Sequence, residues 1–284
     1  MEGAGVALRR AFGFGNTSDF DPFLLFDDFR NDNPDAYLAG FPWHPHRGIE
    51  TITYVLAGTV EHGDSLGNRG QMGAGDVQWM TAGSGILHQE MPKGDQQGRM
   101  HGFQLWSNLP SSLKMTAPRY QDIVATDIPE VTDDDGTRAR VIIGDFWGKS
   151  GPVEGVAAEP RYLDVSVPPG KKKRIAVDRA NNAFAYVFAG SGTFRDASAP
   201  QPITTEVVGG VNDGLIDDVS NRSLVLFDRG DEIVVQAGAE GIRFLLVSGK
   251  PLEEPVAWRG PIVMNTNVEL QQAYAELRAG TFIK

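Results

Sequence analysis

The sequence predicts an all-β protein made of two similar β-barrel or jelly-roll domains, with a short helix near its C-terminal end. Many short apolar segments rich in β-branched and aromatic residues are separated by glycine and aspartate turns. Helical periodicity is almost absent before the C-terminal segment. The motif Tyr54-Val55-Leu56-Ala57-Gly58 recurs in similar form as Tyr186-Val187-Phe188-Ala189-Gly190, which indicates an internal repeat.

Four segments of the first half have the composition of strands, namely residues 21–29, 49–56, 77–80 and 100–106. Within the third segment, Gln78 and Met80 alternate with Val77 and Trp79. Because successive side chains of a strand point to opposite faces, one of these pairs is expected to line a barrel interior. The alternation alone does not say which pair does so.

The C-terminal helix has a start signal and a stop signal. Thr266 and Glu269 have the spacing of a capping box, and an apolar stripe follows them at helical spacing. Gly280 is the expected stop. We interpret this helix as a packing element rather than a functional one.

The repeat predicts an N-terminal domain at residues 1–125 and a C-terminal domain at residues 126–284, joined by an acidic, turn-rich segment. A second pair of dipeptides, Gly75-Asp76 and Gly230-Asp231, extends the alignment. The positions equivalent to three N-terminal histidines, His44, His46 and His88, are then Ala176, Asp178, and either Arg243 or Phe244. No histidine follows His101, so the second domain is predicted to lack metal ligands.

Composition limits the function classes. A net charge of -11 opposes binding to phosphate backbones and therefore argues against nucleic-acid binding. No apolar run is long enough to cross a bilayer, and the N-terminal residues lack the apolar core of a signal peptide. We therefore predict a cytoplasmic protein without membrane contact. The absence of cysteine excludes disulfides and thiol catalysis.

Two short motifs indicate a metal site. In His44-x-His46 and His88-x-Glu90, residues two apart on an extended strand project to one face, so each pair can aim two ligands at one point. Three imidazoles and a carboxylate form a nitrogen and oxygen site suited to Fe, Mn, Ni, Co or Zn. Since the ligands occur once in the chain, we expect one divalent metal ion per chain.

The two remaining histidines are assigned other environments. His62 lies beside the Gly63-Asp64 turn and is predicted to be at the surface. His101 shares strand parity with Phe103 and Leu105 and is predicted to be a hydrogen-bonded core histidine rather than a further ligand.

The motifs also resemble a known family. The text GDVQWMTAGSGILHQEMP is similar to that of cupins, and together with FPWHPHRGIETITYVLAGTVEH and EEPVAWRGPIVMNTNVE it closely resembles pirins across nearly the whole chain. The resemblance implies a bicupin with one mononuclear centre in the N-terminal domain, usually of iron. It also implies that His44, His46, His88 and Glu90 are the metal ligands, and that Fe(II) is the expected ion.

The same resemblance implies two functions. Family members are described as quercetin 2,3-dioxygenases, which implies a flavonol-like aromatic substrate, dioxygen as co-substrate and a metal-bound substrate hydroxyl. Others are described as regulatory proteins that bind a protein partner, and here the oxidation state of the metal would alter the partner-binding surface. A purely structural metal is a third interpretation, disfavoured because structural sites are normally closed and often thiolate-rich.

Glu50 is the alternative carboxylate. Cupins in general take this ligand from a position at the spacing of Glu50 after His46, and the four positions 44, 46, 48 and 50 share a face if the strand is regular. Pirins take it from the second motif, so Glu90 is the preferred ligand. Glu50 is then expected to orient a ligand imidazole or to act as a base. Either Glu90 or Glu50 is expected to accept the substrate proton.

Overall fold

The computed structural model describes residues 3–195 and 219–284, and most of these residues lie in antiparallel strands. The first half contains strands β1 to β10, with bounds Arg9–Phe12, Phe23–Asp28, Phe41–His46, Ile49–Ala57, Thr59–Asp64, Arg69–Met72, Val77–Thr81, Ile86–Lys93, His101–Asn108 and Arg119–Ile123. A short helix α1, Thr17–Phe20, and two 3-10 turns, Pro34–Ala36 and Ser111–Leu113, connect them.

The second half contains strands β11 to β22, with bounds Glu130–Thr132, Arg138–Ile143, Asp145–Phe146, Lys149–Ser150, Arg161–Val167, Lys172–Ala176, Asn182–Arg195, Val219–Ser220, Ser223–Phe227, Glu232–Gly249, Ala257–Arg259 and Ile262–Met264. A 3-10 turn, Ala125–Asp127, precedes them and helix α2, Asn267–Ala279, follows. The predicted bicupin architecture, with two β domains and a C-terminal helix, is confirmed.

Each half is a sandwich or barrel of antiparallel strands. In the first half, a six-stranded sheet of order β1-β2-β9-β4-β7-β10 faces a four-stranded sheet of order β3-β8-β5-β6. In the second half, one eight-stranded sheet follows the path β11-β12-β15-β20-β17-β18, with β16 on β20 and β19 on β17. The first sheet ends at residue 123 and the second begins at residue 130, while the domain boundary after residue 125 stays a prediction.

Alternation along the six-stranded sheet separates two cores. Ile52, Tyr54 and Trp79 join side chains of the second half in the largest hydrophobic cluster, between the two domains. Val55 points the other way, into the first barrel. Gln78 and Met80 are the pair that lines the first barrel's interior, because Val77 and Trp79 belong to the interdomain cluster.

The predicted strands are present, and one detail of the repeat is wrong. The strand after Gly75-Asp76 is β7, which pairs with β4. The equivalent strand in the second half is β19, which pairs with β17. In the first half, His88 lies opposite His44. In the second half, the residue opposite Ala176, the counterpart of His44, is Glu232. The counterpart of His88 is therefore Glu232, not Arg243 or Phe244. The equivalence of Gly75-Asp76 with Gly230-Asp231 is therefore displaced by one strand.

Helix α2 begins and ends as predicted. The Thr266 hydroxyl accepts a hydrogen bond from the Glu269 amide, the Glu269 carboxylate accepts one from the Thr266 amide, and Gly280 has a φ of 71°. No helix in the described ranges is long and apolar enough to span a membrane.

Two reciprocal side-chain pairs join the halves. The Tyr54 hydroxyl donates to Asp164 at 2.7 Å, and the Tyr186 hydroxyl donates to Asp28 at 2.8 Å. Each carboxylate also accepts from an arginine of its own half, Arg243 for Asp164 and Arg30 for Asp28. All four partners of the Tyr–Asp bonds are buried, so these bonds specify how the sheets meet.

We predict that Tyr54→Phe and Tyr186→Phe each lower the free energy of unfolding by about 1–3 kcal/mol, because a buried carboxylate loses a donor. Tyr162→Phe is the matched control, since its hydroxyl is buried and has no hydrogen-bond partner among the described residues. Urea denaturation measures the three variants. Equal stabilities of all three would contradict the assigned role of the two bonds.

Candidate metal centre

Two neighbouring strands bring three histidines together. In the β3–β8 pair His44 lies directly opposite His88, and His46 follows on the same face as His44. A register shift between Phe41 and His44 sets this alignment. One ring nitrogen from each of the three imidazoles lies within 4.8 Å of the others, and no other such group occurs in residues 3–195 and 219–284.

Backbone carbonyls determine how two of the rings are protonated. His44 Nδ1 lies 3.0 Å from the Pro42 oxygen, and His46 Nδ1 lies 3.2 Å from the Pro261 oxygen. A carbonyl oxygen can only accept, so both Nδ1 atoms must carry hydrogen. Each neutral ring then has its lone pair on Nε2. The two Nε2 atoms are 3.1 Å apart, which places two lone pairs face to face.

The surroundings keep these rings neutral. Burial lowers the pKa of His44 and lowers those of His46 and His88 well below the usual value for histidine. Neither nitrogen of His88 hydrogen-bonds to a described residue, although both are buried. Unprotonated, converging imidazole nitrogens fit a divalent metal ion, and an ion between them would remove the lone-pair repulsion. The cluster can therefore hold one metal ion.

Glu90 lies next to this cluster but outside the group of converging nitrogens. It follows His88 by two residues and projects to the same face of β8. Its Oε1 accepts a hydrogen bond from the Thr53 hydroxyl at 3.3 Å, and burial raises its pKa to about 7. The structure therefore places the preferred carboxylate inside the same barrel, and its role as a ligand stays a proposal.

Glu50 points away from the cluster. Arg47 and Gly48 form a turn, with a φ of 77° at Gly48, so residue 50 belongs to another strand and another sheet. On β4 its side chain projects opposite to that of Thr53, and its Oε1 accepts from the Thr81 hydroxyl at 2.7 Å. The assumption of one regular strand from 44 to 50 is wrong, and the placement gives no support to Glu50 as a base or ligand-orienting group.

The predicted environments of the other two histidines need correction. His62 is only 6% exposed, because β5 continues through it to Asp64 and directs it into the barrel, opposite Glu90 on β8. The surface prediction for His62 is wrong. His101 Nε2–H donates to the Asp32 carboxylate at 2.6 Å, as expected for a hydrogen-bonded residue, but its side chain is 28% exposed rather than part of the core.

Sequence reasoning missed two supports of the cluster. Trp106 packs edge-on against His46 with ring centroids 5.0 Å apart, and Pro261 supplies the carbonyl that fixes the His46 tautomer. Strand parity with Gln104 could have placed Trp106 on the barrel face. No pattern could have identified Pro261, because a backbone carbonyl leaves no signature in the sequence.

Comparisons with known proteins identify the same family in both halves of the chain. A family model described as pirin matches residues 5–107, and one described as the pirin C-terminal cupin domain matches residues 162–283. A pirin-like protein of Caulobacter vibrioides is 43% identical over 282 residues, which cover 99% of this chain and 94% of that protein.

Solved structures show the same fold. The crystal structure of a quercetin 2,3-dioxygenase from Acinetobacter baumannii matches with a TM-score of 0.84 and 31% identity, covering 99% of this chain and 93% of that one. A bacterial pirin from Escherichia coli, solved in complex with nickel(II), matches with a TM-score of 0.62 and 22% identity, covering 88% and 94% of the two chains.

We predict that each chain binds about one divalent ion, because one set of converging nitrogens is available. His88→Ala is expected to release it, and elemental analysis of protein purified without chelators measures the occupancy. Full occupancy in the double variant His44→Ala, His46→Ala would rule out this site.

The two carboxylates are expected to differ. Glu90→Gln is expected to weaken metal binding at least as much as loss of an outer-shell partner, which typically costs ~10 to 100-fold. Glu50→Gln is the isosteric control and is expected to leave the affinity unchanged, since Glu50 projects to the opposite face of its sheet. Competition with a chromophoric chelator measures both, and the reverse ranking would transfer the ligand role to Glu50.

Proposed function

The chain belongs to the pirin family, and from this premise we propose that it is a mononuclear iron protein that oxidises flavonols as a quercetin 2,3-dioxygenase. The proposed centre holds one Fe(II) ion at His44, His46, His88 and Glu90. Its reaction consumes one dioxygen and releases one carbon monoxide for each flavonol cleaved.

The observation that carries the proposal is the orientation of the three imidazoles. Carbonyl oxygens hold Nδ1–H of His44 and His46, so that both Nε2 lone pairs are directed at each other. His44 is only partly buried, while His46 and His88 are buried. A centre with one partly exposed ligand suits substrate chemistry better than a closed structural site does.

The residues of the proposed centre have different roles. The three histidines bind the ion as neutral ligands, and the fold keeps them neutral by burial. Iron at this position would supply Lewis acidity toward the flavonol 3-hydroxyl and a redox centre for dioxygen. Glu90 is the proposed proton acceptor at a carboxylate oxygen, because it is a buried carboxylate on the same strand and face as His88 and the Thr53 hydroxyl holds it in place.

The space around the cluster limits where a flavonol can bind. The cavity that Glu90 lines inside the barrel, with Thr53 and Gln104, has a volume of about 20 Å³, enough for a single water molecule. This cavity is too small for a flavonol, and we propose that the substrate approaches from the side of His44, the partly exposed imidazole of the cluster. A row of aromatic rings runs from His46 to the surface, since Trp106 packs on His46, Trp258 on Trp106 and Phe14 on Trp258. Such rings suit a planar aromatic substrate.

We predict that iron-loaded protein mixed with quercetin in air takes up dioxygen, bleaches the flavonol absorbance and releases carbon monoxide. His46→Ala is expected to abolish all three signals, because the substrate is no longer held at the metal. An oxygen electrode, absorbance spectroscopy and carbon monoxide capture by haemoglobin measure them.

Flavonol loss that persists in His46→Ala would identify free-iron chemistry instead. Wild-type protein that binds iron but takes up no dioxygen with any flavonol would contradict the enzymatic proposal. The regulatory alternative predicts a different result, a protein partner whose affinity changes with the oxidation state of the metal.

A further inference from the structure

The C-terminal segment of the chain packs directly against the end of β3. We call residues 261–284 the C-terminal clasp. Besides the Pro261 contact to His46, Ile262 forms a parallel bridge with Arg47, and the Val263 amide donates to the Arg47 carbonyl at 3.1 Å. Gly48 is required here, since a Cβ atom at this position would overlap the Val263 carbonyl oxygen.

The Arg47 side chain joins the C-terminal clasp to the first domain. Its side chain is 2% exposed, and Nη1–H donates to Glu276 Oε2 at 2.8 Å while Nη2–H donates to the Phe282 carbonyl at 2.7 Å. Nε–H donates to the Ser84 carbonyl at 2.7 Å, and the guanidinium lies 4.1 Å from the centroid of the Phe282 ring. Glu276 is the carboxylate paired with this buried cation, and without it the charge would be poorly compensated.

Glu276 is well suited to that task. Hydrogen bonds from Lys284 and Gln272, together with that from Arg47, hold its pKa at about 2, so it stays ionised near neutral pH. It lies in the last turns of helix α2, which is anchored by Leu270 and Ala273 in a hydrophobic cluster with Ile262 and Met264. Helix α2 therefore places the ionised carboxylate of Glu276 beside Arg47, the residue that follows the proposed metal ligand His46.

We propose that Glu276 is a positioning residue for the metal centre, acting through Arg47 to keep the Pro261 carbonyl against His46. That carbonyl keeps hydrogen on Nδ1 and leaves Nε2 free for the metal. Loss of the Glu276 carboxylate removes one of the three acceptors of the Arg47 side chain and the charge paired with it. This loosens the clasp and lets His46 adopt the tautomer with hydrogen on Nε2, which cannot bind metal through that atom. The inference rests on the proposed metal centre and is independent of dioxygenase chemistry.

Nitrogen-15 NMR of the metal-free protein tests the tautomer. In the wild type, His46 is expected to show a protonated Nδ1 and an unprotonated Nε2. Glu276→Ala is expected to move the His46 signals toward the mixed tautomers of a free imidazole. Glu276→Gln, which keeps an acceptor for Arg47 but removes the charge, is expected to cause a smaller change in the same direction.

Metal affinity provides the second readout, with Co(II) as the probe ion. Glu276→Ala is expected to weaken Co(II) binding by ~10-fold or more, the range typical of outer-shell changes. Glu269→Ala is the matched control, because it removes the capping box of the same helix without touching Arg47. It is expected to lower the melting temperature but leave the His46 signals and the Co(II) affinity as in the wild type.

The outcomes are distinct. If Glu276→Ala and Glu276→Gln leave the His46 signals unchanged, or if Glu269→Ala changes them equally, the helix has only a structural role and the inference is wrong. If wild-type protein binds no Co(II), the metal centre itself is refuted, while the NMR comparison still decides whether Glu276 positions His46. If Glu276→Ala does not fold, a comparison of the His46 signals of Glu276→Gln with those of Glu269→Ala tests the inference in the same way.

Discussion

The packing of the six-stranded sheet on the eight-stranded sheet is the constraint on which the rest of this structure depends. Its apolar part is the largest hydrophobic cluster of the described chain, and its polar part is the reciprocal pair of bonds from Tyr54 to Asp164 and from Tyr186 to Asp28. Buried carboxylates are costly unless they are paired, so the relative position of the sheets that forms both bonds is favoured. That position brings the end of the chain back to the first domain.

The two halves share a fold but contribute differently to the site. The first half carries the three imidazoles on β3 and β8, whereas the pairing partner opposite Ala176 in the second half is Glu232, on an exposed part of β20. The C-terminal clasp supplies the Pro261 carbonyl and the Glu276 carboxylate instead. Ligands and their supports therefore come from opposite ends of the chain, which makes the geometry of the site a property of the complete fold.

Burial sets the chemistry of the cluster. Removing three imidazoles from water lowers their pKa values and favours the neutral form that binds metals. Burial without partners is also costly, because His88 has two buried nitrogens without protein hydrogen bonds and two Nε2 lone pairs face each other. A bound cation would coordinate one nitrogen of His88 and remove the repulsion between the two Nε2 lone pairs, so folding of the barrel and binding of a metal would favour each other.

The sequence by itself determined the fold class, the main strands, the capped helix and the three histidines of the cluster. These features are local, since strand alternation, turn residues and i, i+2 spacing depend only on neighbours in the chain. The tertiary structure decided the rest. It turned the chain at Gly48 and directed Glu50 away, and it continued β5 far enough to bury His62. It also placed Pro261 and Glu276 beside His46 and Arg47. Those contacts join residues more than two hundred positions apart, and one of them uses a backbone carbonyl that every residue possesses, so only the folded chain could specify them.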